Sequence, residues 1–249
     1  MQPDYHLETL HKLDVSPSLG YAGERRAFYF FKRALDLFVS AIALIISLPV
    51  MLVIALLIRL DSPGPALFVQ ERVGVKRVRK KGLIAWQRTT FPCYKFRTMM
   101  DKADPALHQA YIAALINHDQ EKMATIQHHE TTTCKLVNDP RVTRPGRFLR
   151  RSSLDELPQF WNVLMGQMSL VGPRPAIPYE IDLYEPWYLR RLEAKPGLTG
   201  LWQVTARSSV GIDEMARLDI EYIEHQSFWL DLKILLKTPL VVLACKGAH

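Results

Sequence analysis

Residues 37–58 read LFVSAIALIISLPVMLVIALLI, 22 residues without a charge and with a proline at position 49. A run of that length and character belongs in hydrocarbon. Pro49 divides it. As helices, Leu37 to Leu48 would be ~18 Å long and Val50 to Ile58 ~14 Å, and neither leg covers a bilayer core of ~30 Å. Basic residues stand on both sides: Arg25, Arg26, Lys32 and Arg33 before the run, and Arg59, Arg72, Lys76 and Arg77 after it. Basic flanks mark the cytoplasmic side, so both ends are expected on one face. That describes a re-entrant helix–break–helix that enters the membrane and returns. The Ser47 hydroxyl would then bond a carbonyl freed at the Pro49 bend. A single kinked spanning helix is the competing reading, because membrane helices tolerate proline.

The chain has 249 residues, a formal net charge of +7 and a pI near 9.3. Such a balance attracts phosphates. Beside an apolar run it favours lipid and phosphorylated small molecules, and no nucleic-acid motif accompanies the charge. Cys93, Cys134 and Cys245 form neither a metal spacing nor a disulfide framework, which suits a reducing compartment. The apolar run lies well inside the chain with no small-residue cleavage site after it, so it is not expected to be a cleaved signal.

The chain divides into an N-terminal tail (1–26), an interfacial and membrane segment (27–60) and a cytoplasmic domain (61–249). The tail is polar, and Ala27 to Leu37 is aromatic and cationic, as headgroup-level residues are. Asp61 to Pro65 is a strong turn. Alternation predicts strands over Ala66–Val73 and Tyr94–Thr98, the second placing Lys95 and Arg97 on one face. From Arg72 to Met100 there are nine basic residues and no acidic ones. Residues 104–135 read as a surface helical insertion. Among its histidines, 118, 128 and 129 lack partners at metal-ligand spacing. Leu157, Phe160, Trp161 and Leu164 predict a buried helical face ended by Gly166. Pro173 and Pro175 fix the backbone around Arg174. Arg217–Lys237 predicts a helix with one apolar side, lying on the membrane or in the core.

Asp155-Glu156 follows an arginine cluster at the start of a helix. Ser153-x-x-Glu156 matches a capping box, and Asp155 itself is a candidate N-cap given Pro158. A functional role is the alternative. Asp155 would be a nucleophile at a helix N-terminus, where phosphate oxygens also bind. Glu156, pointing about 100° away, would hold Mg²⁺ against substrate phosphates.

At these residues the chain resembles the bacterial sugar transferase family, the monotopic polyprenyl-phosphate phosphoglycosyl transferases. The matching pieces, in order, are KRALD (32–36), QERVG (70–74), YKFRTM (94–99), NDPRVT (138–143), LDELPQFWN (154–162), SLVGPRP (169–175) and KPGLTGLWQ (195–203). The resemblance implies an α+β fold, mostly helical, with a re-entrant membrane helix, a small cytoplasmic catalytic domain and interfacial amphipathic helices on the bacterial inner membrane. It implies that Asp155 attacks the sugar-bearing phosphate of a UDP-sugar, that UMP leaves, and that undecaprenyl phosphate then takes the phosphosugar. It implies Mg²⁺ at Glu156 and Asp155. The matched motifs make Lys95, Arg97, Arg147, Arg150, Pro173, Arg174 and Gln203 candidates for substrate contact, with Arg141 and Arg144 open to lipid headgroups. Inner-membrane lipids are the expected surroundings, and a homodimer is among the candidate assemblies. The family places its bend at an adjacent serine and proline, whereas here Leu48 separates Ser47 from Pro49. The reading from a different class is a non-enzymatic bitopic protein whose basic domain binds lipid or a partner.

Overall fold

The computed structural model describes residues 25–80, 83–127, 139–206 and 210–244. His128, His129, Cys134 and Cys245 lie outside them. The chain opens with α1 (Arg26–Asp61), followed by strands β1 (Leu67–Lys80) and β2 (Leu83–Phe96). Helices α2 (Ala106–Ile116), α3 (Gln120–Gln127) and α4 (Arg144–Ser152) come next, then a 3₁₀ turn at Leu154–Glu156 and α5 (Gln159–Leu164). Short strands β3 (Ser169–Val171) and β4 (Gly197–Thr199) bracket α6 (Pro178–Ile181) and a 3₁₀ helix at Pro186–Leu192. Helices α7 (Leu201–Thr205), α8 (Ile212–Glu224) and α9 (Phe228–Leu243) complete it. The expectation of a mostly helical fold with a small sheet holds.

Helix α1 runs 36 residues and continues through Pro49, so the expected break in helical structure does not occur. The Ser47 hydroxyl lies 3.4 Å from the Met51 sulfur rather than on a freed carbonyl. An 18-residue window of α1 has a mean hydropathy of 3.0, long and apolar enough to cross a membrane. Its burial is divided. Asp36 and Ser40 are buried in the first half, and Ile54 and Ile58 in the second. Residues 41–53 contain no buried side chain.

Each end of α1 is fastened to the rest of the protein. Lys32 Nζ donates to Asp231 Oδ2 at 2.6 Å and to the Val171 carbonyl at 2.9 Å. Arg33 donates to the carbonyls of Val163 and Leu164 at 2.6 and 2.7 Å, which caps the C-terminal end of α5. Asp36 accepts from the Ser169 hydroxyl and the Leu170 N–H. At the other end Ile54 and Ile58 pack with Phe96 and Leu149. Arg97 closes that end, donating to the carbonyls of Ile58, Ser62 and Pro63.

β1 and β2 form an antiparallel hairpin from Leu67↔Phe96 to Lys80↔Leu83, longer than the two expected strands. β3 and β4 pair in parallel. Helices α2 and α3 fall in the expected insertion, but α2 is not on the surface. Its Tyr111, Ile112, Leu115 and Ile116 enter a core with Tyr188, Trp202 and Ile212. The Arg217–Lys237 segment is two helices, with Ser227 capping α9 through a bond from the Leu230 N–H. Tyr222 is in the core, whereas Trp229, Leu236, Leu240 and Leu243 on α9 are exposed.

Candidate active site

Three elements bring the acidic pair and its cations together. Thr98, just beyond β2, accepts from the Thr143 N–H through its carbonyl. The Thr143 hydroxyl in turn accepts from Gly146 at 3.1 Å, capping α4. A Cβ on Gly146 would fall on the Thr98 carbonyl, so only glycine permits this approach. Arg150 then reaches back, its Nε donating to the Thr98 hydroxyl at 2.9 Å. Helix α4 ends at Ser153, whose φ of 58° is left-handed. That turn throws the chain into the 3₁₀ segment carrying Asp155 and Glu156.

Asn162 sets α5 against the hairpin. It is fully buried, accepts from the Tyr94 N–H at 3.0 Å and donates to the Pro92 carbonyl at 2.6 Å. With that register fixed, Lys95 lies opposite Glu156, Nζ to Oε1 2.6 Å. Both side chains keep partial exposure, which leaves room for a ligand. Burial pulls the Arg150 guanidinium down from its ordinary value, and the neighbouring Asp155 carboxylate opposes that shift. Burial pushes the Cys93 thiol up, while Lys95 and Arg72 pull it down, Glu156 pushes it up and Arg174 pulls it down.

The Val171–Ala176 loop is held by its own main chain. Gly172 donates to the Thr199 carbonyl, Pro173 accepts from the Gly197 N–H and Pro175 accepts from Arg72. Arg174 is held on both sides by a buried ion pair, Arg191–Asp219, at 2.6 Å. Its carbonyl accepts from Arg191, and its N–H faces the Asp219 carboxylate. With its backbone engaged, Arg174 has only its half-buried side chain to offer a ligand.

The other candidates separate. Arg147 is exposed on α4, three residues before Arg150. Arg97 does not share a face with Lys95. The strand ends at Phe96, and Arg97 is buried against the end of α1, where the carbonyls of Ile58, Ser62 and Pro63 take its donors. Pro173 is buried and shapes the loop. Gln203 turns its amide to the Leu198 carbonyl at 3.3 Å. Arg141 is paired with Asp139 at 2.6 Å.

The N-cap positions are Ser153 and Pro158, and neither makes a side-chain capping bond. Trp161 departs from the expected buried face: α5 buries Gln159, Asn162 and Val163, while Trp161 and Met165, like Phe148 on α4, are exposed. Asn162, Thr98 and the Arg191–Asp219 pair went unrecognised as supports of the site. A lone asparagine amid apolar helix positions was a readable sign of a buried polar anchor. Residues 191 and 219 carry no local sign at all.

Two adjacent carboxylates beside a lysine fit a small divalent cation. Mg²⁺ is commonly held by one or two carboxylates, with water and substrate phosphate completing its shell. Among the described residues no cluster of three or more His, Cys, Asp or Glu side chains is poised to ligate a metal.

The family model described as bacterial sugar transferase matches residues 27–245. The chain is 40% identical over 225 residues to the undecaprenyl-phosphate galactose phosphotransferase of Salmonella typhimurium, covering 90% of this chain and 43% of that one. It is 36% identical to the exopolysaccharide production protein ExoY of Rhizobium meliloti, covering 88% of each. It is 37% identical to the UDP-glucose:undecaprenyl-phosphate glucose-1-phosphate transferase of Caulobacter vibrioides, covering 96% of this chain and 82% of that one. The chain spans less than half the length of several curated relatives it matches. On the match across residues 27–245, this chain belongs to the bacterial sugar transferase family.

Proposed function

We propose that this protein transfers a sugar 1-phosphate from a UDP-sugar to undecaprenyl phosphate, beginning the assembly of a lipid-linked surface glycan. The observation that carries the proposal is the Asp155–Glu156 pair, set on a tight 3₁₀ turn where Lys95 meets Glu156 and Arg150 faces Asp155, with exposed Phe148, Trp161 and Met165 in the segments before and after it. Cations there stabilise phosphate charge, and the apolar rim suits a greasy substrate. The names of the relatives support the same reaction class.

An Asp155 oxygen attacks the phosphorus that carries the sugar. The bond from that phosphorus to the oxygen of UMP breaks, and UMP leaves with the electron pair. An oxygen of undecaprenyl phosphate then attacks the same phosphorus. The Asp155 carboxylate departs, and the product is undecaprenyl diphosphate sugar. One diphosphate is lost and one formed, so the work is positioning and charge stabilisation. Glu156 and Asp155 would hold Mg²⁺, which when bound neutralises phosphate charge. Lys95 fixes the Glu156 carboxylate, Arg150 faces Asp155, and Arg174 reaches toward the transferred phosphate from its clamped loop.

The membrane arrangement proposed is re-entrant, with the catalytic domain on the cytoplasmic face of the inner membrane. Residues 41–53, the stretch of α1 between its two buried ends, amount to ~20 Å of helix, short of a ~30 Å core. A bitopic helix puts the bilayer between its flanks, so one domain cannot pack on both. Here Asp36 and Ile58 pack on the same domain. The exposed apolar side of α9 gives a second surface at the interface.

The test is UMP release by detergent-purified protein with Mg²⁺, undecaprenyl phosphate and a panel of UDP-sugars. Galactose, glucose and N-acetylgalactosamine come first, because the relatives' names carry them. Lipid-dependent release with one sugar is expected, and no release with any overturns the proposal.

A further inference from the structure

A cavity of about 460 Å³ lies away from the acidic pair, between the start of α1, the hairpin and the turn before β4. Its walls include Arg26, Lys32, Arg33, Arg77 and Lys195, and one acid, Asp36. Lys32 is offset by Asp231. Arg33 donates to two neutral carbonyls and shares the single Asp36 carboxylate with Lys32. Asp36 uses Oδ1 to accept from Ser169 and Leu170. Burial pulls the Lys195 ammonium down from its ordinary value, and Arg33, Arg77 and Lys32 add to that while Asp36 opposes it. A half-enclosed cavity with surplus positive charge is unfavourable unless an anion enters it.

The position says what kind of anion. The Arg77 guanidinium stacks 4.3 Å from the Tyr29 ring, and Trp86 packs edge-on against Tyr29. Phe30, also in the lining, is exposed together with Phe31. Aromatic rings with cations at the start of a membrane helix mark headgroup depth. Arg33 caps the C-terminal end of α5, whereas Glu156 precedes its N-terminal end. From residue 156 to residue 164 is ~12 Å of helix, so the cavity and the acidic pair occupy opposite ends of α5.

We propose that this cavity is a second anion site, taking the phosphate of an anionic membrane lipid and separate from the Asp155–Glu156 site. It rests on the interfacial placement of α1 proposed above, but not on the chemistry at Asp155. A phosphate there bridges Lys195 to α1 and holds the domain at the membrane surface. Two lipid sources share that phosphate chemistry, a bilayer phospholipid and a polyprenyl phosphate.

The test uses the full chain in detergent and reads Trp86 fluorescence as the difference from a Trp86→Phe variant. The probes are dihexanoyl phosphatidylglycerol, farnesyl phosphate and dihexanoyl phosphatidylcholine. Saturable binding of an anionic probe, weakened about tenfold or more by Lys195→Ala and by Arg26→Ala and unchanged in Asp155→Asn, supports the site. Phosphatidylglycerol as the tighter probe names a bilayer phospholipid, and farnesyl phosphate as the tighter probe names a polyprenyl lipid. Equal binding of phosphatidylcholine, no binding of either anion, or binding unmoved by both cation variants overturns it. Loss of binding in Asp155→Asn overturns the separation of the two sites. UMP release reads the catalytic proposal independently, so the two can fail separately.

Discussion

Removing Arg191 tests how the loop around Arg174 is held. Arg191 donates through Nε and Nη2 to Asp219 Oδ2 at 3.1 and 2.6 Å, through Nη1 to the Tyr184 hydroxyl and through Nη2 to the Arg174 carbonyl. The pair is almost wholly buried, with side-chain exposures of 2% and 1%. Arg191→Met would strand a carboxylate in the core, a loss of about 3–5 kcal/mol out of the ~5–15 kcal/mol typical of a folded protein. For a chain of this size that lowers the thermal midpoint by roughly 10 °C. The double variant Arg191→Met/Asp219→Leu removes both charges and is expected to regain most of that stability. It does not restore the two contacts on the Arg174 backbone, so sugar-dependent UMP release should stay well below that of the wild type. The assays are thermal unfolding in detergent and turnover per folded molecule. A single variant losing less than about 1 kcal/mol, or a double variant with full turnover, would refute the reasoning.

Arg97→Met should cost about 2–3 kcal/mol of stability, read by thermal unfolding, since charged donors leave the carbonyls that end α1, with the KM for UDP-sugar unchanged; Arg174→Met should raise that KM and leave the stability alone. Gly146→Ala should push α4 off Thr98 and lower both stability and turnover, read by unfolding and UMP release, whereas a wild-type result would mean that α4 docks otherwise. His108 is half-buried against Tyr179, 2.6 Å from its hydroxyl, and desolvation there lowers its pKa to about 4. The unfolded chain takes up that proton first, so this contribution is full above pH ~6.5 and is lost as pH falls towards 4. The loss is about 3 kcal/mol. Denaturant midpoints at pH 7.5 and 4.5 check this, and His108→Gln should flatten the difference.

Much of the membrane element was legible because its signals are local. An uncharged run, a proline and two basic flanks lie within a few tens of residues, and the re-entrant proposal rests on them together with the packing at both ends of α1. The continuation of the helix through Pro49 was not legible, because whether a chain stays helical around one missing N–H is decided by its surroundings and not by the proline alone. The acidic pair and its lysine were named from motif residues, and Lys95 does meet Glu156. Arg97 was misjudged because strand alternation assumes that the strand continues, whereas β2 stops at Phe96 and the end of α1 recruits the next cation. Helix α2 looked like surface because the segment's average is polar, although Tyr111, Ile112, Leu115 and Ile116 supply a buried face. The Arg191–Asp219 clamp joins residues 28 apart whose neighbours give no sign of the contact.

The most direct test of the central claim is the intact mass of the protein after incubation with Mg²⁺ and its UDP-sugar, without lipid acceptor. The account predicts an added sugar phosphate on the wild-type chain, discharged by undecaprenyl phosphate and absent from Asp155→Asn. UMP release without the adduct, or sustained turnover by Asp155→Asn, would contradict it.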